Sequence, residues 1–247
     1  MEAVNKALVV MLCYNTDKQT KRTLQKIPSR IRRDYDFLII NDGSTDNTAE
    51  VIREYHEKYD LNLIVHPHNK GVGGAIKSGI KYALSKGYPM IALMAGNNKD
   101  NPLEIPKILN PLVHENCDYV QGSRFLKGGR WDNLPPFRYI MVKVHAFLFT
   151  LLTGRKCTDA LNGFRAYKLS LFKDPQINIW QDWLDKYELE TYLHYKVLKL
   201  GFRLKEVPVS KIYPSNRRKI KYSHIRPFID WWSILNPLFF LSLNLKR

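Results

Sequence analysis

An α/β fold built on a mostly parallel, doubly wound central sheet is what this sequence predicts, and a few observations carry the prediction. Apolar runs such as residues 6–14 (KALVVMLCY) show no polar alternation, the pattern of strands covered on both faces. They alternate with amphipathic stretches at helical spacing, β-α-β-α-β-α-β-α up to about residue 110. The strands also stop abruptly in Asn, Asp and Gly. Residues 90–102 (MIALMAGNNKDNP) read as a buried strand, a polar loop and a helix restarting at Pro102. In open α/β sheets ligands gather at the carboxyl ends of strands, so such loops are where function is sought.

In chain order, residues 6–14 form the first strand and residues 17–27 a polar helix with Leu24 and Ile27 on one face. Residues 35–40 form the second strand, ending in NDGSTDNT. There Asn41, Asp42 and Gly43 supply turn chemistry, and Ser44 or Thr45 can cap a helix over residues 46–59. Residues 61–65 are a third strand, and residues 70–86 open with glycines and continue as a helix carrying Ile76, Ile80, Ala83 and Leu84 on one face. Residues 117–121 are a short fifth strand. The Gly/Pro-rich loop that follows, GSRFLKGGRWDNLPP, is too long for a simple connection, and loops of that kind are usually functional. Residues 137–152 form an apolar helix with Arg138 at its start, and TDALNGFRAY then leads into a short extended element. Residues 183–200 form a helix closed by Gly201, and residues 202–209 a further strand. A basic aromatic loop, YPSNRRKIKYSHIRPF, precedes a tail rich in Trp, Phe and Leu.

Composition narrows the class. At 247 residues, 45% hydrophobic and 25% charged, the chain suits a packed fold with a sizeable core and not a disordered one. Its 39 Lys and Arg against 23 Asp and Glu give a net charge of +16, which suits a polyanionic partner: nucleic acid, an anionic membrane surface or a phosphorylated substrate. Cys13, Cys117 and Cys157 are widely spaced, fitting neither a disulfide framework nor a metal site, and read as reduced buried thiols of a cytosolic protein. The histidines show no metal-like spacing. The first apolar run leads directly into polar YNTDKQTKR, so no signal peptide is expected, and no run of about 18 apolar residues predicts a transmembrane helix.

Several residues can carry chemistry. Asp42, at the carboxyl end of the second strand, can accept from an N–H of a nucleotide base, or serve only an Asx turn. The glycines of NKGVGGAIKSG sit at a helix N-terminus and can face phosphates. Ile76, however, stands where a dinucleotide fingerprint has its third glycine, which argues against a Rossmann dehydrogenase. Taken singly, Asp159 can cap a turn, and Arg124, Arg138 and residues 217–221 can be solvated surface charge.

The order of motifs is more specific than any one of them. LVVMLCYN, LIINDGSTDNT, HNKGVGGAIKSGIKYA, IALMAGNNKDNPLEIPKIL, YVQGSRFLKGG, TDALNGFRAYK and GFRLKEVPVS, in this order over about residues 5–226, resemble the inverting family 2 glycosyltransferases of the GT-A fold, most closely the polyprenyl- and dolichyl-phosphate sugar synthases. The resemblance implies a Rossmann-like, mostly parallel sheet with helices on both faces. It also implies a catalytic domain over residues 1–226 and a nucleotide-sugar donor, UDP- or GDP-linked. Leu12, Tyr14 and Asp42 would hold the nucleotide, with Asp42 on the base. Residues 95–99, including Ala95, Gly96, Asn97 and Lys99, would take the place of the family's Asp-Ala-Asp-x-Gln, which straddles the donor diphosphate and its divalent ion. Arg124 and Arg138 match basic positions near the reaction centre, and Asp159 the candidate base. Arg218, Ser223 and His224 fall on a loop that closes on the donor, with His224 replacing a Lys.

The departure lies at residues 95–99. Either Asn97 supports a weakly held Mg²⁺ or Mn²⁺ whose other ligands are diphosphate and water, or Lys99 itself neutralises the leaving diphosphate. The acceptor implied is a lipid phosphate or a glycan. For a hydroxyl acceptor Asp159 would be the base, and for a phosphate it would orient, with Arg124 and Arg138 holding the anion. A degenerate nucleotide-sugar-binding copy is the alternative, against which Asp42, Arg124, Asp159 and Arg218 all remain. Residues 227–247 combine Trp231, Trp232, Phe239 and Phe240 with flanking basic residues. That composition suits a segment lying in an anionic membrane interface, on the cytoplasmic face, or else a helix packed on the domain. A nucleic-acid-binding protein would use the charge but leave NDGSTD and GFRAY unexplained, so no nucleic-acid partner is expected.

Overall fold

The computed structural model describes residues 6–215 and 229–246. Its seven-stranded sheet begins with four parallel strands: β1 (Leu8–Cys13), β2 (Asp36–Asn41), β3 (Asn62–Val65) and β4 (Met90–Ala95). It is completed by β5 (Tyr119–Ser123), β7 (Arg165–Lys168) and β8 (Leu204–Pro208), in the order β3-β2-β1-β4-β7-β5-β8. Only β7 runs antiparallel to its neighbours, β4 and β5. Two short strands, β6 (Arg130–Asp132) and β9 (Ser210–Ile212), pair separately and in parallel.

Unbroken apolar strands make sense in this setting, because successive side chains point to opposite faces and both faces are covered. Leu8, Val10, Leu38 and Ile40 face one core, with Ile76 and Ile80 of α4 (Gly71–Ser85) and Leu189 and Tyr192 of α7 (Glu188–Lys199). Val9, Met11, Phe37 and Ile39 face the other. There they meet Leu24 of α1 (Asp17–Gln25), Ile31 of α2 (Ser29–Asp34), Ile52 of α3 (Thr48–Tyr59) and Ile108 of α5 (Ile105–His114). The sequence reading ran α1 to residue 27 and missed α2. It also expected Ser44 or Thr45 to cap α3, but the helix starts later, and Asp46 Oδ1 accepts the Thr48 N–H at 3.0 Å.

Two helices complete the body. α6 (Pro136–Thr153) ends at Gly154, whose φ of 70° is the left-handed cap glycine takes readily. Its His145 lies fully buried, and the Phe149 ring is flanked by His145 and by His194 of α7. Burial lowers the His145 pKa from 6.5 to about 4 and pushes that of His194 down as well. α8 (Ile229–Ser242) takes the second of the two readings its sequence allows, packing on α6 and α7 and burying Trp231, Ile234, Leu238 and Leu241. Its other side leaves Trp232 and Phe239 exposed.

The chain runs from β1 outward to β3, then returns to place β4 on the other side of β1. The loops after β1, β2 and β4 therefore converge at a reversal of strand order, where such sheets bind ligands.

Candidate active site

A cavity of about 690 Å³ opens at that reversal, large enough for a nucleotide-sized ligand. Leu12, Tyr14, Asp42, Ala95, Asn97, Lys99, Arg124 and Arg138, all singled out in the sequence, line it. Gly96 lies just behind, where its N–H donates to the Leu12 carbonyl at 2.8 Å and a Cβ would strike the Cys13 sulfur. Arg218, Ser223 and His224 lie outside the described residues.

One end of the cavity is built around Asp42. Its carboxylate is 4% exposed and accepts from His66 Nδ1 at 2.7 Å, Asn69 Nδ2 at 3.0 Å and the Lys70 backbone N–H at 3.0 Å. His66 in turn contacts Ser78 Oγ through Nε2 at 2.9 Å. Asp42 is thus fixed by partners from the connection between β3 and α4, not by its own turn alone, and a well-ordered carboxylate is what a base N–H would meet. The glycines expected to face phosphate do something else. The N–H groups of Gly73 and Gly74 donate to the carbonyls of Lys186 and Asp185, and a Cβ on Gly73 would fall on the Leu184 carbonyl. Their smallness lets α4 close against the segment leading into α7.

The other end is cationic. Arg124, at the end of β5 and 3% exposed, donates from Nε and its backbone N–H to Asp159 Oδ2 and from one terminal nitrogen to Asp159 Oδ1, at 2.7, 3.0 and 2.7 Å. Its other terminal nitrogen donates to Tyr213 Oη at 2.9 Å. Burial alone would weaken the guanidinium's hold on its proton, but Asp159 more than reverses this and its pKa rises. Three of five side-chain N–H groups are engaged in these bonds, so the rest remain for an anion. Asp159, expected as a base, does not line the cavity. Both of its oxygens are held by Arg124 and it is fully buried, so it acts as the anchor of that arginine. The turn that carries it is fixed by Glu206 of β8, which accepts from the Thr158 and Asp159 N–H groups.

Lys211 on β9 was not foreseen. Its ammonium donates to Asp100 Oδ1 at 2.5 Å and to Asn162 Oδ1 at 2.9 Å, while Asp100 Oδ2 accepts the Ala95 N–H at 3.2 Å. β9 also fixes the loop backbone, because the Ile212 N–H donates to the Lys99 carbonyl at 2.9 Å. The Lys99 ammonium lies 5.1 Å from the Tyr213 ring centroid, a cation–π arrangement. Burial, then the charges of Lys211 and Arg138, push its pKa well below the usual lysine range, partly opposed by Asp100. Glu190 also lines the cavity and pairs with Arg165 at 3.0 Å.

The sequence model for glycosyl transferase family 2 matches residues 8–174. The chain belongs to glycosyl transferase family 2. A UDP-N-acetylglucosamine–dolichyl-phosphate N-acetylglucosaminyltransferase from Methanococcus voltae is 27% identical over 221 residues, covering 83% of this chain and 85% of that protein. An undecaprenyl-phosphate mannosyltransferase from Micrococcus luteus is 23% identical over 206 residues, 83% of each chain. Among solved structures, glucosyl-3-phosphoglycerate synthase from Mycobacterium tuberculosis, in complex with Mn²⁺, UDP and glucosyl-3-phosphoglycerate, superposes with a TM-score of 0.68 at 14% identity, covering 100% of this chain and 82% of that one. The glycosyltransferase fold is therefore GT-A, and the protein is a glycosyltransferase.

The divalent ion that family 2 membership implies finds poor ligands in this glycosyltransferase. Ala95 offers none, and Asn97 offers one amide oxygen, buried and without a hydrogen-bond partner among the described residues. Lys99 brings a cation to the place, and both oxygens of Asp100 are engaged. No group of three or more His, Cys, Asp or Glu side chains suited to a metal occurs among the described residues. Hard divalent ions need several oxygens, preferably anionic, so the assignment of Asn97 as a metal ligand does not fit. All three cysteines are free and buried, and burial pushes the Cys13 thiol up to about 12, out of nucleophilic range.

Proposed function

We propose that this glycosyltransferase moves a sugar from a nucleoside-diphosphate donor to the phosphate of a polyprenyl-type lipid, with inversion at the anomeric carbon. The observation that carries the reading is the polarity of the cavity. The wall holds an ordered carboxylate, Asp42, and a separate group of neighbouring cations, Lys99, Arg124, Arg138 and Lys211, with Lys70, Lys186, Glu190 and Asp230 also on the lining. That matches a donor whose base is neutral with N–H groups to give and whose diphosphate is anionic. The two named relatives act, by their names, on dolichyl phosphate and undecaprenyl phosphate, which supports the acceptor class.

The chemistry needs little from the protein beyond placement and charge. The bond from the anomeric carbon to the diphosphate oxygen breaks, its electron pair leaves with the diphosphate, and an acceptor oxygen bonds from the opposite face. A hydroxyl acceptor needs a base, and Asp159 is held by Arg124. A phosphate acceptor is already an anion at neutral pH and needs only cations to hold it, which Arg124 and Arg138 supply. This favours lipid phosphate over glycan.

Exposed apolar side chains on two helices support a membrane-facing surface: Ile140, Phe147 and Leu151 on α6, Trp232 and Phe239 on α8. No helix among the described residues is long and apolar enough to cross a membrane. From the exposed apolar surface we place this catalytic unit against the cytoplasmic membrane face, where nucleotide-sugars are met. Thermal unfolding with UDP-, GDP- and dTDP-sugars tests the donor reading, since a ligand of the native state raises its stability. One base class should raise the midpoint clearly above the others; no shift with any nucleotide-sugar would overturn the reading.

A further inference from the structure

The loop after β4 sets the charge that meets the donor diphosphate, and its construction differs from a cage for a dication. Ala95 closes β4 without a ligand, and the next carboxylate in the chain, Asp100, is tied on both oxygens, to Lys211 and to the Ala95 N–H. Lys99 between them is 7% exposed yet lines the cavity, and so does Lys211 at 7%. A lysine is almost never this deeply buried unless it is paired, and an anion entering the cavity would meet both ammonium groups. Here the burial is arranged: β9 pins the Lys99 backbone through Ile212, the Tyr213 ring lies against the ammonium, and the Tyr213 hydroxyl is fixed by Arg124. The loop that would carry negative charge for a metal instead carries a lysine, inside a wall that also holds Arg124 and Arg138; burial and those neighbouring cations disfavour its ammonium until an anion enters and supplies the counter-charge.

We propose that Lys99 is the resident cation of this site: its ammonium takes the place along the donor diphosphate that a divalent ion would otherwise fill, and the nucleotide donor binds and reacts without a metal. This rests on the nucleotide-sugar reading above. In the transfer step Lys99 donates hydrogen bonds to the diphosphate oxygens as the electron pair of the breaking anomeric C–O bond moves onto them, and no proton changes hands. Lys211, held by Asp100 and Asn162, is the positioning residue that fixes the loop around Lys99. Asn97 Oδ1, without a hydrogen-bond partner among the described residues, is left to accept a hydroxyl of the donor instead of a metal.

Calorimetric titration of the full chain with UDP and with GDP, each in EDTA and in excess MnCl₂, tests this. The expected result is binding of one of the two with affinities that agree within about threefold between the media, a difference well under 1 kcal/mol by the usual conversion. Lys99→Met should weaken that nucleoside diphosphate by about tenfold or more, while the corresponding nucleoside binds as in wild type, which shows that the base end is intact. Lys99→Arg should recover part of the loss, and the pair Ala95→Asp with Lys99→Gln should bind tightly only with Mn²⁺. If EDTA weakens wild-type binding about tenfold and MnCl₂ restores it, Lys99 does not replace the metal, and that measurement needs no variant. Wild-type affinity in Lys99→Met would overturn the proposal equally. Binding of neither diphosphate, nor of dTDP, in either medium would overturn the nucleotide-sugar reading itself, and this proposal with it.

Discussion

The two ends of the cavity are built by different means. The Asp42 end, proposed to take the base, comes from one nearby stretch of chain, with Asp42, His66, Asn69, Lys70 and Ser78 all between residues 42 and 78. The phosphate end is gathered from distant ones: Lys99 after β4, Arg124 after β5, Arg138 on α6, Asp159 before β7 and Lys211 on β9. Three of its four cations are buried, and two are held in ion pairs, Arg124 with Asp159 and Lys211 with Asp100. The base end should therefore tolerate substitution with local consequences, whereas the phosphate end couples catalysis to the stability of the second half of the chain.

The largest expected effect lies in the Arg124–Asp159 pair. Removing one partner of a buried ion pair leaves the other uncompensated, so Asp159→Asn should cost about 3 to 5 kcal/mol in chemical unfolding. Arg124→Met on top of it should recover part of that stability without recovering turnover. Wild-type stability in Asp159→Asn, with turnover lost, would return Asp159 to the role of a base. Next comes acid sensitivity behind α6. His145 is neutral in the folded state with its pKa lowered from 6.5 to about 4, so the unfolded chain takes up its proton first as the pH falls. The stability it contributes is full above 6.5 and is lost down to about 4, about 3 kcal/mol in all. His145→Phe should remove that share of the pH dependence between those limits, and an unchanged slope would place the sensitivity elsewhere.

At the base end, Asp42→Ala should weaken nucleotide binding by about 1 to 3 kcal/mol while leaving inorganic pyrophosphate binding alone. Equal loss for both ligands in calorimetry would mean that the two ends are not separable. Smallest is the membrane contribution, about 1 kcal/mol per basic residue near an anionic surface and screened by salt. Co-sedimentation with anionic vesicles should fall with salt and with Phe147→Ser or Trp232→Ser, and indifference to both would make the exposed face of α6 and α8 something other than a lipid contact.

This difference in construction also explains what the sequence revealed. β1 to β4 were legible because each is an unbroken apolar run ended by polar turn residues, and Asp42 was legible because strand, turn and helix start lie side by side. His66 was missed: in LIVHPHNKG it reads as the last polar residue of a short strand, and its partner Asp42 is 24 positions away. A polar residue at the carboxyl end of a strand beside Asp42's own would have been the signal. Lys211 was hidden among the many basic residues near the C-terminus, since nothing local tells that β9 pairs with β6 and meets Asp100. The antiparallel direction of β7 is likewise absent from four residues of composition. Asp159 was legible as a candidate but not its burial, which depends on Arg124 turning inward. α8 is apolar nearly all round, so its pattern did not separate the side packed on α7 from the side left exposed.

The central claim is that the cationic end receives an anionic acceptor and needs no base. It is tested most directly by presenting the enzyme, with the nucleotide-sugar that stabilises it, with a polyprenyl phosphate and with the matching polyprenol, and measuring labelled sugar in the lipid extract together with its anomeric configuration. Transfer should go to the phosphate alone, with the configuration opposite to that of the donor. Equal transfer to the alcohol, or a retained configuration, would contradict it.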